Sequence, residues 1–97
     1  MISETPSESD ELQGFIDHDV VLDTRGQLLY IGRLASVGHW FLTLVDADVH
    51  DLLESRTSKD VYLIEAAKHG IKKNRHEVTV RKTEVVSLSR LDQVIKY

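Results

Sequence analysis

The ribbon from Val20 to Asp46 is rich in aliphatic and β-branched residues, yet Gly32 interrupts it in mid-strand. A glycine inside a strand costs stability unless the backbone bends sharply there or is approached closely by another chain segment. Gly32 therefore predicts a creased strand, and a creased strand predicts a barrel rather than a flat sheet. Val20, Val21 and Leu22 lead into Asp23-Thr24-Arg25-Gly26, which reads as a strand entering a tight turn with Gly26 at a positive-φ position. Gln27 to Val37 forms a second, longer strand. Leu29, Ile31 and Ala35 point to one side of it, and Leu28, Tyr30, Gly32 and Leu34 to the other, so both faces need cover. After Gly38-His39, Trp40 to Val45 forms a third strand, and Asp46-Ala47-Asp48 ends it.

Downstream the period becomes helical. Thr57 or Ser58 caps a helix from about Lys59 to His69, with Asp60 in the first turn, Lys68 and His69 in the last, and Gly70 as the residue that stops it. Val61, Ile64, Ala67 and Ile71 form its apolar stripe, flanked by Leu63 and Ala66. Asp48 offers a cap for an earlier turn through Leu52 and Leu53. Val78 to Val80 and Val85 to Leu88 then read as short strands paired as a hairpin across the three-residue turn Lys82-Thr83-Glu84. Ser89 caps a terminal turn carrying Leu91, Val94 and Ile95. At the other end, residues 1–11 are polar and acidic and read as a mobile tail. Order is expected from Leu12, where Leu12, Phe15 and Ile16 allow a short helix capped by Ser7 or Ser9.

The chain of 97 residues fits one domain, residues 12–97, behind the tail. It has no cysteine, so neither disulfides nor thiolate-held zinc can staple the fold. No run is long enough to span a membrane and no secretory signal opens the chain, so the expected location is cytoplasmic. The net charge of −4 is unevenly spread. Residues 1–19 carry Glu4, Glu8, Asp10, Glu11, Asp17 and Asp19 with no Lys or Arg, whereas Lys68, Lys72, Lys73, Arg75, Arg81 and Lys82 crowd one short stretch containing a single acid, Glu77. That stretch points to an anionic partner, or serves only as a solvated surface.

Catalytic signals are absent. There is no Gly-x-Ser-x-Gly, no phosphate-cradling glycine loop before a helix and no cysteine nucleophile, so the expectation is a non-enzyme without a cofactor. Asp46, Asp48, His50 and Asp51 are the densest set of metal-ligand types, but they serve equally as strand terminator and helix cap, and no metal is expected. His69 and His76 have no carboxylate at a recognised metal spacing and belong with the basic stretch.

A strand meander, an insertion and a short β pair with a basic turn resembles the Sm and Sm-like family, which includes the Hfq-type RNA chaperones. The resemblance covers roughly residues 12–46 and 77–89. Gly26, Gly32-Arg33-Leu34, Gly38-His39-Trp40-Phe41 and Leu42-Thr43-Leu44 fall where the first family motif has its glycine turn, Gly-x-Leu, Asp loop and Met-Asn, with one residue fewer in the loop. Val80-Arg81-Lys82 and Val85-Val86-Ser87-Leu88 approximate the second motif, Ile-Arg-Gly and a hydrophobic strand. The resemblance implies a small, strongly bent, five-stranded antiparallel barrel, mainly β, with a helical insertion at about residues 47–76 between the third and fourth strands.

It also implies a homo-oligomeric ring closed by pairing of the fourth and fifth strands, Glu77 to Arg81 and Val85 to Leu88. Family members hold single-stranded RNA where a loop aromatic or His stacks on a base, an Asn reads its edge and an Arg lies against it. Here His39 and Arg81 stand at two of those positions, while Phe41 replaces the Asn, Gly38 the Asp and Lys82 the Gly. The expected nucleic-acid site is His39, Phe41, Lys72, Lys73, Arg75, Arg81 and Lys82, with weak base selectivity and strong salt dependence. Trp40 and Phe41 alternatively fill the barrel core or a subunit contact, and Arg81 alternatively pairs with Glu84. The second functional reading is a protein-interaction scaffold that has lost the base pocket and recruits a partner through the inserted helix. The acidic tail could also lie across the basic loop and compete with RNA.

Overall fold

The computed structural model describes residues 8–97. A short helix α1 (Glu8–Leu12) runs into a 3-10 turn at Gln13–Phe15, and five antiparallel strands follow: β1 (Asp19–Thr24), β2 (Leu28–Val37), β3 (Phe41–Asp51), β4 (Arg75–Arg81) and β5 (Val85–Arg90). One helix, α2 (Lys59–His69), stands between β3 and β4. Helix α1 starts ahead of Leu12, with Ser9 inside it rather than capping it; Ser7 lies outside the described residues. No described helix is long and apolar enough to cross a membrane.

The sheet order is β4-β3-β2-β1-β5. β4 and β5 are thus consecutive in sequence but occupy opposite edges, and the expected pairing across Lys82-Thr83-Glu84 does not occur. Those three residues form a 3-10 turn instead. The four chain steps from Arg81 to Val85 reach at most about 14 Å, whereas the edges of a flat five-stranded sheet stand about 19 Å apart. The sheet has to curl until its edges approach. Backbone and side-chain bonds then fasten the corner: Arg25 donates its N–H to the Glu84 carbonyl (2.9 Å) and its Nε to the Thr83 carbonyl (2.7 Å), while the Lys82 N–H bonds the Trp40 carbonyl (2.9 Å).

Gly32 sits at the crease. A Cβ built there would lie 2.9 Å from the Ala47 Cβ and 3.2 Å from the Val45 carbonyl oxygen, so close approach of β3 demands the glycine. β3 does not stop at Asp46 as its sequence suggests. Asp46 adopts φ 49°, in the left-handed region that Asp tolerates better than most residues. Asp46 and Ala47 together oppose Gly32 as a bulge, after which pairing resumes at Ile31 with Asp48 and continues to Leu28 with Asp51. Asp48 is therefore a strand residue and caps no helix, and Leu52 and Leu53 lie in a turn. The segment interrupting the sheet is correspondingly shorter, residues 52–74. Gly26 also differs from expectation: its φ is not positive, and the turn is closed by Thr24 Oγ1 donating to the Leu28 carbonyl (2.6 Å).

Both faces of the β1–β2 ribbon are covered. Val20, Leu22, Leu34, Leu42, Leu44, Ala47 and Val80 form the barrel interior, closed by Leu12, Phe15 and Ile16. Val21, Leu29 and Ile31 point outward into a second core completed by Ala66, Leu91 and flanking residues of α2. As its sequence predicts, α2 is capped by Ser58, whose Oγ accepts from the Val61 N–H, and ends at Gly70 with φ 93°. Ala67 and Ile71 of the expected stripe pack together with the flanking Leu63 and Ala66, but the packed side is turned toward Tyr62, and Val61 stays 49% exposed. A polar contact sets that rotation: the Tyr62 hydroxyl donates to the buried Asp48 carboxylate, and the Tyr62 ring stacks on His50 at 3.7 Å. At the C-terminus, β5 runs through Arg90, so Arg90 rather than Ser89 precedes the last 3-10 turn, Leu91–Gln93.

Two measurements check this account. Gly32→Ala pushes a methyl into Ala47 and should cost about 1–3 kcal/mol in urea unfolding, as overpacking does. Burial, followed by the hydrogen bond and charge of Asp48, raises the Tyr62 pKa well above the ordinary 10.0. The unfolded chain then ionises Tyr62 before the folded one does, so stability is present below pH 10 and is lost as pH rises. Tyr62→Phe should be less stable at neutral pH and show a shallower alkaline loss than the native chain.

Candidate nucleic-acid interface

The β2–β3 turn and the start of β3 carry His39, Trp40 and Phe41 to one end of the barrel. Trp40 is 61% and Phe41 41% exposed, so neither fills this barrel's core. His39 meets the edge of Trp40 with ring centres 4.5 Å apart and planes at 85°. Phe41 is registered directly opposite Arg81 on β4, and the Arg81 guanidinium carbon lies 5.5 Å from the Phe41 ring centre. A cation over an aromatic face is attracted by the ring quadrupole, which holds the two groups together. Arg81 is thus occupied by Phe41 and forms no ion pair with Glu84.

The remaining expected site residues do not join this surface. Lys82 is only 9% exposed and lines a small cleft with Leu12, Leu42 and Val85 beside the β5 edge. Its backbone N–H serves this end of the molecule through the bond to the Trp40 carbonyl. Lys72, Lys73 and Arg75 lie at the opposite end of β4, where Arg75 is registered against Ala47. Six strand steps separate Arg75 from Arg81, about 20 Å at the usual rise. The expected single site is therefore two surfaces at the two ends of one strand.

The acidic set on β3 is dispersed by strand alternation and by individual partners. Asp46 pairs with Lys73 (3.7 Å), Asp48 accepts from Tyr62, and Asp51 accepts from Gln27 Nε2 (3.0 Å) and from the Leu53 N–H (3.0 Å). Among the described residues no group of three metal-ligand side chains converges. A cleft of about 520 Å³ lies elsewhere, between the start of β1 and the C-terminal turn. It mixes Asp17, Asp19 and Asp92 with Arg33 and Lys96, and so presents no single sign of charge.

Asn74 is the positioning residue that sequence reasoning missed. Its side chain pairs with both backbone groups of Val49, accepting from the N–H at 3.0 Å and donating to the carbonyl at 3.1 Å, while its own N–H bonds the Ala47 carbonyl at 2.8 Å. An amide that copies a strand residue in this way extends the ladder past the end of β4. Nothing in the sequence near Asn74 announces it, because its partner lies across the fold.

No protein-family model matches the sequence, nor does any curated protein. Solved structures do. An Sm protein of Pyrococcus abyssii in complex with a uridine heptamer superposes with a TM-score of 0.58 at 18% identity, over 88% of this chain and 99% of that one. The SmAP (LSm) protein from Methanococcus vannielii gives a TM-score of 0.55 at 22% identity, over 90% of this chain and 98% of that one.

This chain has the Sm fold. Its Sm barrel carries α2 on the outer face of β1 and β2, against its own Val21, Leu29 and Ile31, so the insertion thickens the barrel wall. The Sm barrel also leaves β4 and β5 as its two unpaired edges. Phe41→Leu should leave the fold intact, and removing the ring that tethers Arg81 should broaden the range of Arg81 side-chain conformations. NMR order parameters of the Arg81 Nε–H measure that directly; an unchanged value would show the contact to be incidental.

Proposed function

We propose that the chain is a non-enzymatic binding module that closes into a homo-oligomeric ring through β4 and β5, and holds single-stranded RNA on the surface made by His39, Phe41 and Arg81. The observation that carries this reading is the exposed Phe41 ring held under Arg81 beside His39 and Trp40. Every nucleobase has a π face, and stacking on an aromatic contributes about 1–3 kcal/mol per base without demanding a sequence. A solved neighbour in fold carries a uridine heptamer, which supports RNA as the ligand class.

Selectivity is expected to be weak. Phe41 has no hydrogen-bonding group, and it stands where the family resemblance places an amide that reads the base edge. Assembly is supported by the two free edges, which are different from one another and so suit head-to-tail pairing between copies. Val86, 60% exposed on β5, would be covered by such a contact. The scaffold reading draws less support, because Tyr62, Leu63 and Ala66 of α2 are already spent on the chain's own barrel.

The test is binding of labelled oligo-uridine and oligo-adenine at two salt concentrations. Both should bind within about one order of magnitude of each other, and Phe41→Ala should weaken both by about 1–3 kcal/mol. Absence of binding at low salt would remove RNA and leave the scaffold. Sedimentation at micromolar concentration should give a homo-oligomer; a monomer would end the ring proposal.

A further inference from the structure

The junction between α2 and β4 gathers Lys68, Lys72, Lys73, Arg75 and His76 on exposed positions. Its acids are few and partly engaged: Asp46 faces Lys73, and Glu65 lies 3.6 Å from His69. Lys72 forms no ion pair among the described residues, and the guanidinium of Arg75 bonds only the carbonyl of its neighbour Asn74 (3.0 Å). These are cations with unspent charge. They are also held in place, since Asn74 is bound to Val49 and Ala47 by three hydrogen bonds and so fixes the backbone from which Lys73 and Arg75 project.

We propose that this junction is a second contact for the same RNA strand, one that takes its phosphate backbone through Lys72, Lys73 and Arg75, about 20 Å from the base-stacking surface. The proposal rests on the RNA reading given above. Continuity along β4 is what favours it: Arg75, Glu77, Thr79 and Arg81 occupy alternate positions and are all exposed, while Val78 and Val80 between them turn into the core. A strand of RNA stacked at Phe41 and Arg81 that follows β4 arrives at Arg75. Lys72, Lys73 and Arg75 offer charge and no base-edge reader, so the contact they make is with phosphate rather than with a base. Glu77 stands midway on the path and opposes a phosphate passing it.

The contact is tested with the full chain by fluorescence anisotropy, using labelled tri-uridine, which covers only the stacking surface, and a twelve-residue oligo-uridine, which spans both. The combined variant Lys72→Ala, Lys73→Ala and Arg75→Ala should leave tri-uridine affinity within about two-fold, weaken the longer strand about ten-fold or more, and reduce its salt slope by about 2, or 0.7 per lost phosphate contact. Glu77→Gln should tighten the longer strand alone. Equal losses on both lengths, or no loss on the longer one, would overturn the second contact while leaving the stacking surface standing. Failure of the native chain to bind either length at low salt would overturn both.

Discussion

Three residues between β4 and β5 impose the shape of the whole molecule. They join the opposite edges of a five-stranded sheet, and a connection that short cannot cross the width of a flat one. Curling is therefore obligatory, and β2 and β3 come into close approach at Gly32. Gly32 removes the side chain that would block this approach, and the Asp46–Ala47 bulge supplies the extra length that the outer strand needs on a bend. The corner where the edges meet is then locked by Arg25 on one side and by the Lys82 backbone on the other.

The same curl produces the two-sided burial of β1 and β2. Their inner face fills the barrel, while their outer face, Val21, Leu29 and Ile31, would be an apolar patch on a bare barrel of this kind. Helix α2 and the C-terminal turn cover it. The fit is fixed by polar chemistry as well as by area, because Tyr62 can satisfy the buried Asp48 only when α2 is rotated as observed. An ion pair from Lys59 to Asp23 fastens the start of the helix to β1. The insertion is in this sense part of the core.

Curling also decides which residues share a surface. Phe41 and Arg81 are far apart in sequence and become direct cross-strand neighbours, whereas Arg81 and Arg75 are close in sequence and are carried to opposite ends of a strand. Adjacent Arg81 and Lys82 diverge still more sharply, one lying over an aromatic face and the other buried at the β5 edge. A cluster of charge in a sequence is thus a poor guide to a cluster of charge in space once the segment is extended.

What the sequence by itself determined was local: strands from their aliphatic runs, the crease from Gly32, and α2 with both of its caps, because each depends on neighbours within a few positions. The five-stranded bent architecture was legible through spacing and resemblance. The continuation of β3 past Asp46 was not, since a left-handed aspartate in a bulge and an aspartate that ends a strand look identical until the partner strand is known. The rotation of α2, the role of Asn74 and the division of the basic stretch into two surfaces were decided only by the tertiary structure. Each is set by a contact between segments separated by many residues, and such contacts leave no period or motif in the chain that makes them.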